Sequence, residues 1–180
     1  MKHAGFLEAT ERHLMQTHAA PFDATVQYYV YRSPYGFLTI QATNTHVTCI
    51  KFGEEELSGP CKPNRLTNLM ATELLEYFAG KRQIFDIPLA PAGTAFQKDV
   101  WREIMKIPYG ESAAISTIAA RLGDESAYRV VGAAAKRSPL AIVVPTHRIC
   151  AAPGRKLNAT KANVFNAALL KAERHYLGLE

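Results

Sequence analysis

The sequence predicts an α/β domain followed by a mostly helical one, a fold class of α/β plus α. Three observations carry that prediction. Residues 25–52 are short runs of β-branched and aromatic residues between turn signals. From Leu66 onward apolar residues recur at helical spacing. Between the two regimes stands Pro91-Ala92-Gly93, a linker by composition, so the domains are expected at 1–92 and 93–180.

The elements follow in order. Phe6 to Met15 has the pattern of a short amphipathic helix. Thr25–Arg32 and Phe37–Ala42 read as strands around the turn Ser33-Pro34-Tyr35-Gly36, and His46–Phe52 reads as a third strand after Thr43-Asn44-Thr45. The result is an antiparallel meander. Leu66, Leu69, Met70, Leu74, Leu75 and Phe78 mark a helix that Ala79-Gly80 stops, and Ile84–Ala90 is short and extended.

Thr94 is placed to cap a helix whose apolar face is Phe96, Val100, Trp101, Ile104 and Met105, and Pro108-Tyr109-Gly110 ends it. Ser116–Leu122 and Ser126–Lys136 are two short helices around Gly123, the pattern of a helix-turn-helix. The second is rich in small residues (Gly132, Ala133, Ala134, Ala135), which allow close approach to a partner or to another helix. Lys136 and Arg137 at its end favour a phosphate backbone as that partner. Leu140–Val144 reads as a buried strand running into Pro145-Thr146-His147-Arg148, and Val164–Tyr176 as a final helix.

Composition narrows the function. With 48% hydrophobic and 21% charged residues in 180, the chain is globular rather than disordered. Three cysteines are too few for a disulfide scaffold, and neither C-x-x-C nor metal-spaced histidines occur, so no zinc and no cofactor are expected. No apolar run is long enough to span a bilayer, and Met1–Gln16 lacks the apolar core of a signal peptide. No membrane partner is expected, and the compartment is expected to be intracellular, cytoplasmic or nuclear. Charge is uneven: residues 1–125 balance at −2, while 126–180 balance at +7, for a net +5. A basic C-terminal part points to a polyanion, although a solvated basic face has the same signature.

The motifs in sequence order resemble one family. The stretch Leu74–Gly110, the run Arg129-Val130-Val131-Gly132 within Ala127–Arg148, Pro139, and Pro145-Thr146-His147-Arg148 are together similar to the O6-alkylguanine-DNA alkyltransferases. The resemblance implies a ribonuclease-H-like N-terminal domain. It also implies a C-terminal domain whose helix-turn-helix docks in the minor groove of duplex DNA and flips the damaged base out. The family signature is Pro-Cys-His-Arg, in which the cysteine accepts the alkyl group and a His, a Glu and a water lower its pKa.

Here Thr146 occupies the acceptor position, with His147 and Glu173 matching the His and Glu. Arg129 matches the arginine that fills the gap left by a flipped base, within an implied DNA-binding set of Arg129, Gly132, Ala133, Ala134, Lys136, Arg137 and Ile115. Ile115 replaces the Tyr that pushes the nucleotide out. The implied substrate pocket is Pro145, Arg148, Ser138, Asn158, Ala159 and Thr160. Ser138 stands where Asn is usual, Leu157 and Lys161 where Gly is usual, and Ala159 where Tyr is usual.

A threonine hydroxyl is far less acidic than a thiol, and its β-branch hinders attack. The function expected is therefore a DNA-binding homologue of the repair family that does not accept the alkyl group. Relatives lacking the acceptor cysteine bind alkylated bases and signal to other repair proteins, though they usually carry Trp at that position. The alternatives are a working methylated-DNA–protein-cysteine methyltransferase with a substituted acceptor, and a repurposed structural or regulatory DNA-binding module. Cys150 lies four residues past Thr146 and would be the substitute acceptor, but a packing role is weighed above it; Cys49 sits in a strand and Cys61 in a loop.

Overall fold

A computed structural model describes residues 26–150 and 161–179. The strand signals become a three-stranded antiparallel sheet, β1 (Gln27–Ser33), β2 (Gly36–Ala42) and β3 (Val47–Phe52), in the order β1-β2-β3. Pro34-Tyr35 is a two-residue hairpin loop closed by the pair Ser33↔Gly36. Leu38, Ile40, Val47 and Ile50 are essentially without exposure, and Thr39 between the first two is buried as well, so the middle of β2 is covered on both faces.

Helix α1 (Arg65–Phe78) covers this sheet. Asn64 caps it in a reciprocal box: its side chain accepts from the Thr67 backbone, and Thr67 Oγ1 accepts from the Asn64 N–H at 2.9 Å. The Tyr31 hydroxyl reaches Thr67 and Asn68, each at 2.8 Å, and fastens the helix to edge strand β1. Leu66, Met70 and Leu74 form the buried stripe, while Leu69 and Leu75 face solvent.

The chain divides into two compact units. One comprises residues 1–92 with 139–141, and the other 93–138 with 142–180. The expected strand Leu140–Val144 does not form. Ile50 donates its N–H to the Pro139 carbonyl at 2.7 Å, Ala141 donates to the Ile50 carbonyl at 3.1 Å, and the pairing stops there. The chain then turns through Ile142, a β-branched residue at φ 71°. Composition registered burial, since Leu140, Ile142, Val143 and Val144 are all buried. It could not register that a turn rather than an extended segment achieves it. A β-branched residue in that left-handed region costs of order 1–3 kcal/mol, which packing must offset.

The second unit is helical. Helix α2 (Ala95–Met105) begins at Thr94 with a second capping box, completed by Gln97. Val100, Trp101 and Ile104 are wholly buried, whereas Phe96, expected on the same face, is half exposed. Gly93 is required here: a Cβ on it would lie 2.5 Å from the Trp101 ring. A two-residue strand β4 (Ala113–Ala114) leads into α3 (Ile115–Arg121). After Gly123, a 3₁₀ turn (Glu125–Ala127) opens α4 (Tyr128–Lys136). The expected helix 126–136 thus starts as a tighter turn, capped by Asp124, whose carboxylate accepts from the Ser126 N–H at 2.8 Å. A second 3₁₀ turn (Thr146–Arg148) is followed by β5 (Ile149–Cys150), paired in parallel with β4, and then by α5 (Lys161–Tyr176). The expected helix Phe6–Met15 lies outside the described residues.

Candidate functional site

Thr146, His147 and Arg148 form one turn of 3₁₀ helix, which sends consecutive side chains in different directions. Thr146 is half-buried, whereas His147 and Arg148 are buried. Glu173 meets both from the penultimate turn of α5 and is itself 1% exposed. His147 Nε2 lies 2.7 Å from Glu173 Oε1. Arg148 donates Nε to Oε2 at 3.0 Å and Nη2 to Oε1 at 2.9 Å, a forked contact with one carboxylate. Arg148 Nη1 also donates to the Ile107 carbonyl at 2.8 Å, and its guanidinium lies 5.4 Å from the Tyr109 ring centroid.

The loop after α2 closes the cluster. The Gly110 N–H donates to Glu173 Oε2 at 2.8 Å, and Arg174 Nε donates to the Gly110 carbonyl at 3.1 Å. Gly110 has φ 78°, and a Cβ there would come within 2.6 Å of Leu177. Only glycine brings this N–H onto the carboxylate.

These contacts fix the protonation states. Burial pushes the Glu173 carboxyl upward, but hydrogen bonds from His147 and Arg148 and the Arg148 charge outweigh it and hold the pKa at about 2. Burial lowers the pKa of His147, against the opposing pull of Glu173. An ionised carboxylate only accepts, so Nε2 of the neutral imidazole must carry the proton. Nδ1 is left as the acceptor of the ring. A neutral base oriented by a buried acid thus lies next in sequence to Thr146, the arrangement that serves an activated nucleophile.

Arg148, expected in a substrate pocket, instead has its guanidinium committed to Glu173 and Ile107, because a buried cation requires a buried partner. Pro145 is buried before the turn, and Ser138 donates its backbone N–H to the Ala135 carbonyl at 3.1 Å. Asn158, Ala159 and Thr160, with Leu157, lie outside the described residues. Gly110 and Tyr109 are legible in the sequence only as a helix stop; nothing local marks a glycine whose N–H meets a carboxylate 63 residues away.

Helix α4 sorts the expected DNA-binding residues. Arg129, Ala133, Lys136 and Arg137 are exposed at i, i+4, i+7 and i+8, which is one helical face. Ala134 is not on it. It is buried, and its carbonyl accepts the Trp101 Nε1–H at 2.9 Å, so its smallness serves helix packing. Gly132 is half-buried beneath Ile115, whose Cγ1 would lie 3.8 Å from a Cβ at that position. The Arg129 guanidinium stands 5.7 Å from the centroid of the neighbouring Tyr128 ring. Cys150 is half-buried in β5, Cys49 is buried and Cys61 exposed. Among the described residues no three His, Cys, Asp or Glu side chains converge as metal ligands, and no helix is long and apolar enough to cross a membrane.

A ribonuclease-like sheet domain joined to a helical domain with a helix-turn-helix and a buried His147–Glu173 pair defines a class, the DNA alkyltransferases of direct repair. The chain belongs to the 6-O-methylguanine DNA methyltransferase family. Its ribonuclease-like domain model matches residues 26–91 and its DNA-binding domain model residues 95–175. A methylated-DNA–protein-cysteine methyltransferase of Methanosarcina acetivorans is 34% identical over 151 residues, covering 81% of this chain and 97% of that protein. One of Mycolicibacterium paratuberculosis is 36% identical over 135 residues, covering 72% and 81%. The crystal structure of Mycobacterium tuberculosis OGT in complex with DNA superposes with a TM-score of 0.76 at 33% identity, covering 84% of this chain and 94% of that one.

Proposed function

We propose that the protein binds duplex DNA, plain or alkylated, through the exposed face of α4, and that Thr146 accepts no alkyl group. The single observation that carries this reading is the mismatch at the turn 146–148. A buried, hydrogen-bonded His147–Glu173 pair adjoins in sequence a residue it cannot activate. A thiol has a pKa near 8.5, within reach of a neutral imidazole and its surroundings. An alcohol lies far above that range and stays protonated, so no anion forms to displace guanine O6 from the alkyl carbon.

DNA binding is supported by the relatives' names, by the DNA-bound structure of a relative, and by the Arg129, Lys136 and Arg137 face. In this reading the residues from 93 to 180 act as the DNA-binding domain, α4 enters the minor groove, and Arg129 fills the gap left by a displaced base. A lesion bound but not reversed is handed to other repair proteins, and the work is intracellular because its substrate is.

Two measurements on one preparation test it. Incubation with an O6-methylguanine oligonucleotide followed by intact mass is expected to show no added methyl group, and titration with methylated and unmethylated duplexes to show binding to both. A stoichiometric methyl gain overturns the silent-acceptor reading, and mapping it to Cys150 would identify the substitute acceptor. Absence of binding to either duplex overturns the DNA reading.

A further inference from the structure

Two valines follow Arg129, and the fold uses them oppositely. Val131 is fully buried, whereas Val130 is 59% exposed. Val130 shares its face of α4 with Arg129, Ala133, Lys136 and Arg137. Among the described residues it is the one large apolar side chain that α4 exposes. Everything else on the face is either a long cation that can swing aside or an alanine. Val130 is short, β-branched and stiff at χ1, so it cannot withdraw.

We infer that Val130 is a shape-reading residue, one that makes the protein favour duplex DNA whose minor groove opens readily over DNA whose groove is narrow and stiff. This rests on the reading that α4 enters the minor groove. The physical reason is size. A helix with its side chains is about 10–12 Å across, and the minor groove of B-DNA is about 6 Å wide. Entry therefore requires widening, and small residues such as Ala133 minimise it. Val130 adds two methyl groups at the face, one residue after Arg129, and raises the deformation the duplex must accept. Runs of A·T pairs resist that deformation, while TA and CA steps yield to it. The charge of Arg129, Lys136 and Arg137 commits the face to a polyanion, and phosphate contacts themselves carry no sequence preference. Discrimination by Val130 is thus separable from affinity supplied by the cations.

The test uses the full chain and two duplexes of equal length and charge, one an A-tract and one carrying central TA and CA steps. A minor-groove-binding dye serves as competitor. The wild type is expected to prefer the second duplex by roughly tenfold, the size of a modest deformation difference. Val130→Ala is expected to bring the ratio near unity, chiefly by gaining affinity for the A-tract, with an unchanged salt slope. Val130→Thr, which keeps the branched shape, is expected to keep the ratio. Equal wild-type affinities, or a Val130→Ala ratio as large as the wild type's, overturn the inference while leaving the binding reading in place. Failure of the dye to compete removes the groove reading, and this inference falls with it.

Discussion

His147 Nε2 donates to Glu173 Oε1 at 2.7 Å across 26 residues of sequence, with the two side chains 2% and 1% exposed. The same carboxylate also receives Arg148 and the Gly110 N–H. Glu173 is therefore the anion around which the turn 146–148, the loop after α2 and helix α5 are assembled.

Replacing Glu173 by Gln should be strongly destabilising. It leaves the Arg148 guanidinium buried without its counter-charge, at a cost of about 3–5 kcal/mol for a broken buried pair. Thermal unfolding followed by circular dichroism should show a large drop in Tm. A fall of only a degree or two would mean that the cluster is solvated.

Acid should unfold the protein in a defined window. The Glu173 carboxyl is held at about 2 in the folded state against an ordinary 4.5, so its stabilisation is complete above about 4.5 and is lost as pH falls towards 2. At 1.36 kcal/mol per pKa unit this amounts to about 3 kcal/mol. His147, whose pKa is depressed by burial, acts in the same direction: its contribution is full above 6.5 and declines below that. Urea midpoints should fall as pH drops from about 4.5 towards 2, and His147→Gln should remove the decline that begins below about 6.5. A His147→Gln variant that keeps the wild-type decline below 6.5 would contradict the His147 assignment, and a stability that does not fall between pH 4.5 and 2 would contradict that of Glu173.

Trp101 seats α4. Trp101→Phe removes the Nε1–H bonded to the Ala134 carbonyl and leaves that carbonyl buried without this donor. That carbonyl keeps the Arg137 N–H at 3.1 Å, so the expected cost is that of one hydrogen bond, about 0.5–1.5 kcal/mol. Gly93→Ala should also destabilise, because its Cβ would meet the indole at 2.5 Å. If Trp101→Phe matches the wild type in urea unfolding, the indole N–H is not holding the helix.

The cations of α4 should be readable in salt. Combined Arg129→Ala, Lys136→Ala and Arg137→Ala substitutions should lower the log–log salt slope of DNA binding by about 0.9 for each phosphate that these cations neutralise. An unchanged affinity and slope would place DNA elsewhere on the protein.

Thr146→Cys should create a thiol more acidic than a free cysteine, because His147 and Glu173 are already in place. Iodoacetamide labelling against pH reads this directly. Demethylation of duplex DNA should nevertheless stay far below the rate of a working alkyltransferase. Transfer needs the alkyl carbon about 3–3.5 Å from sulfur, and by the family resemblance Leu157, Ala159 and Lys161 stand at positions expected to wall the pocket, and Ile115 where a Tyr hydroxyl is expected to drive the base out. Full repair activity in this variant would show an intact pocket with one residue changed.

Much of this protein is determined locally. The meander follows from β-branched runs around Ser33–Gly36, α1 and α2 from apolar spacing, and the start of α2 from Thr94 and Gln97, because turns and caps depend on residues within reach of one another along the chain. Thr146 in place of an acceptor cysteine is equally visible, since the motif around it is contiguous. What the tertiary structure decides concerns residues far apart in sequence. Leu140–Val144 reads as a strand because composition reports burial and not backbone direction. Arg148 reads as a pocket residue until its charge is met by Glu173, and Ala134 as a groove residue until Trp101 is seen to donate to its carbonyl. Two adjacent valines, Val130 and Val131, are indistinguishable as letters. Only the packing of α4 against its neighbours, which buries one and turns the other to solvent, separates a core residue from a candidate reader of DNA.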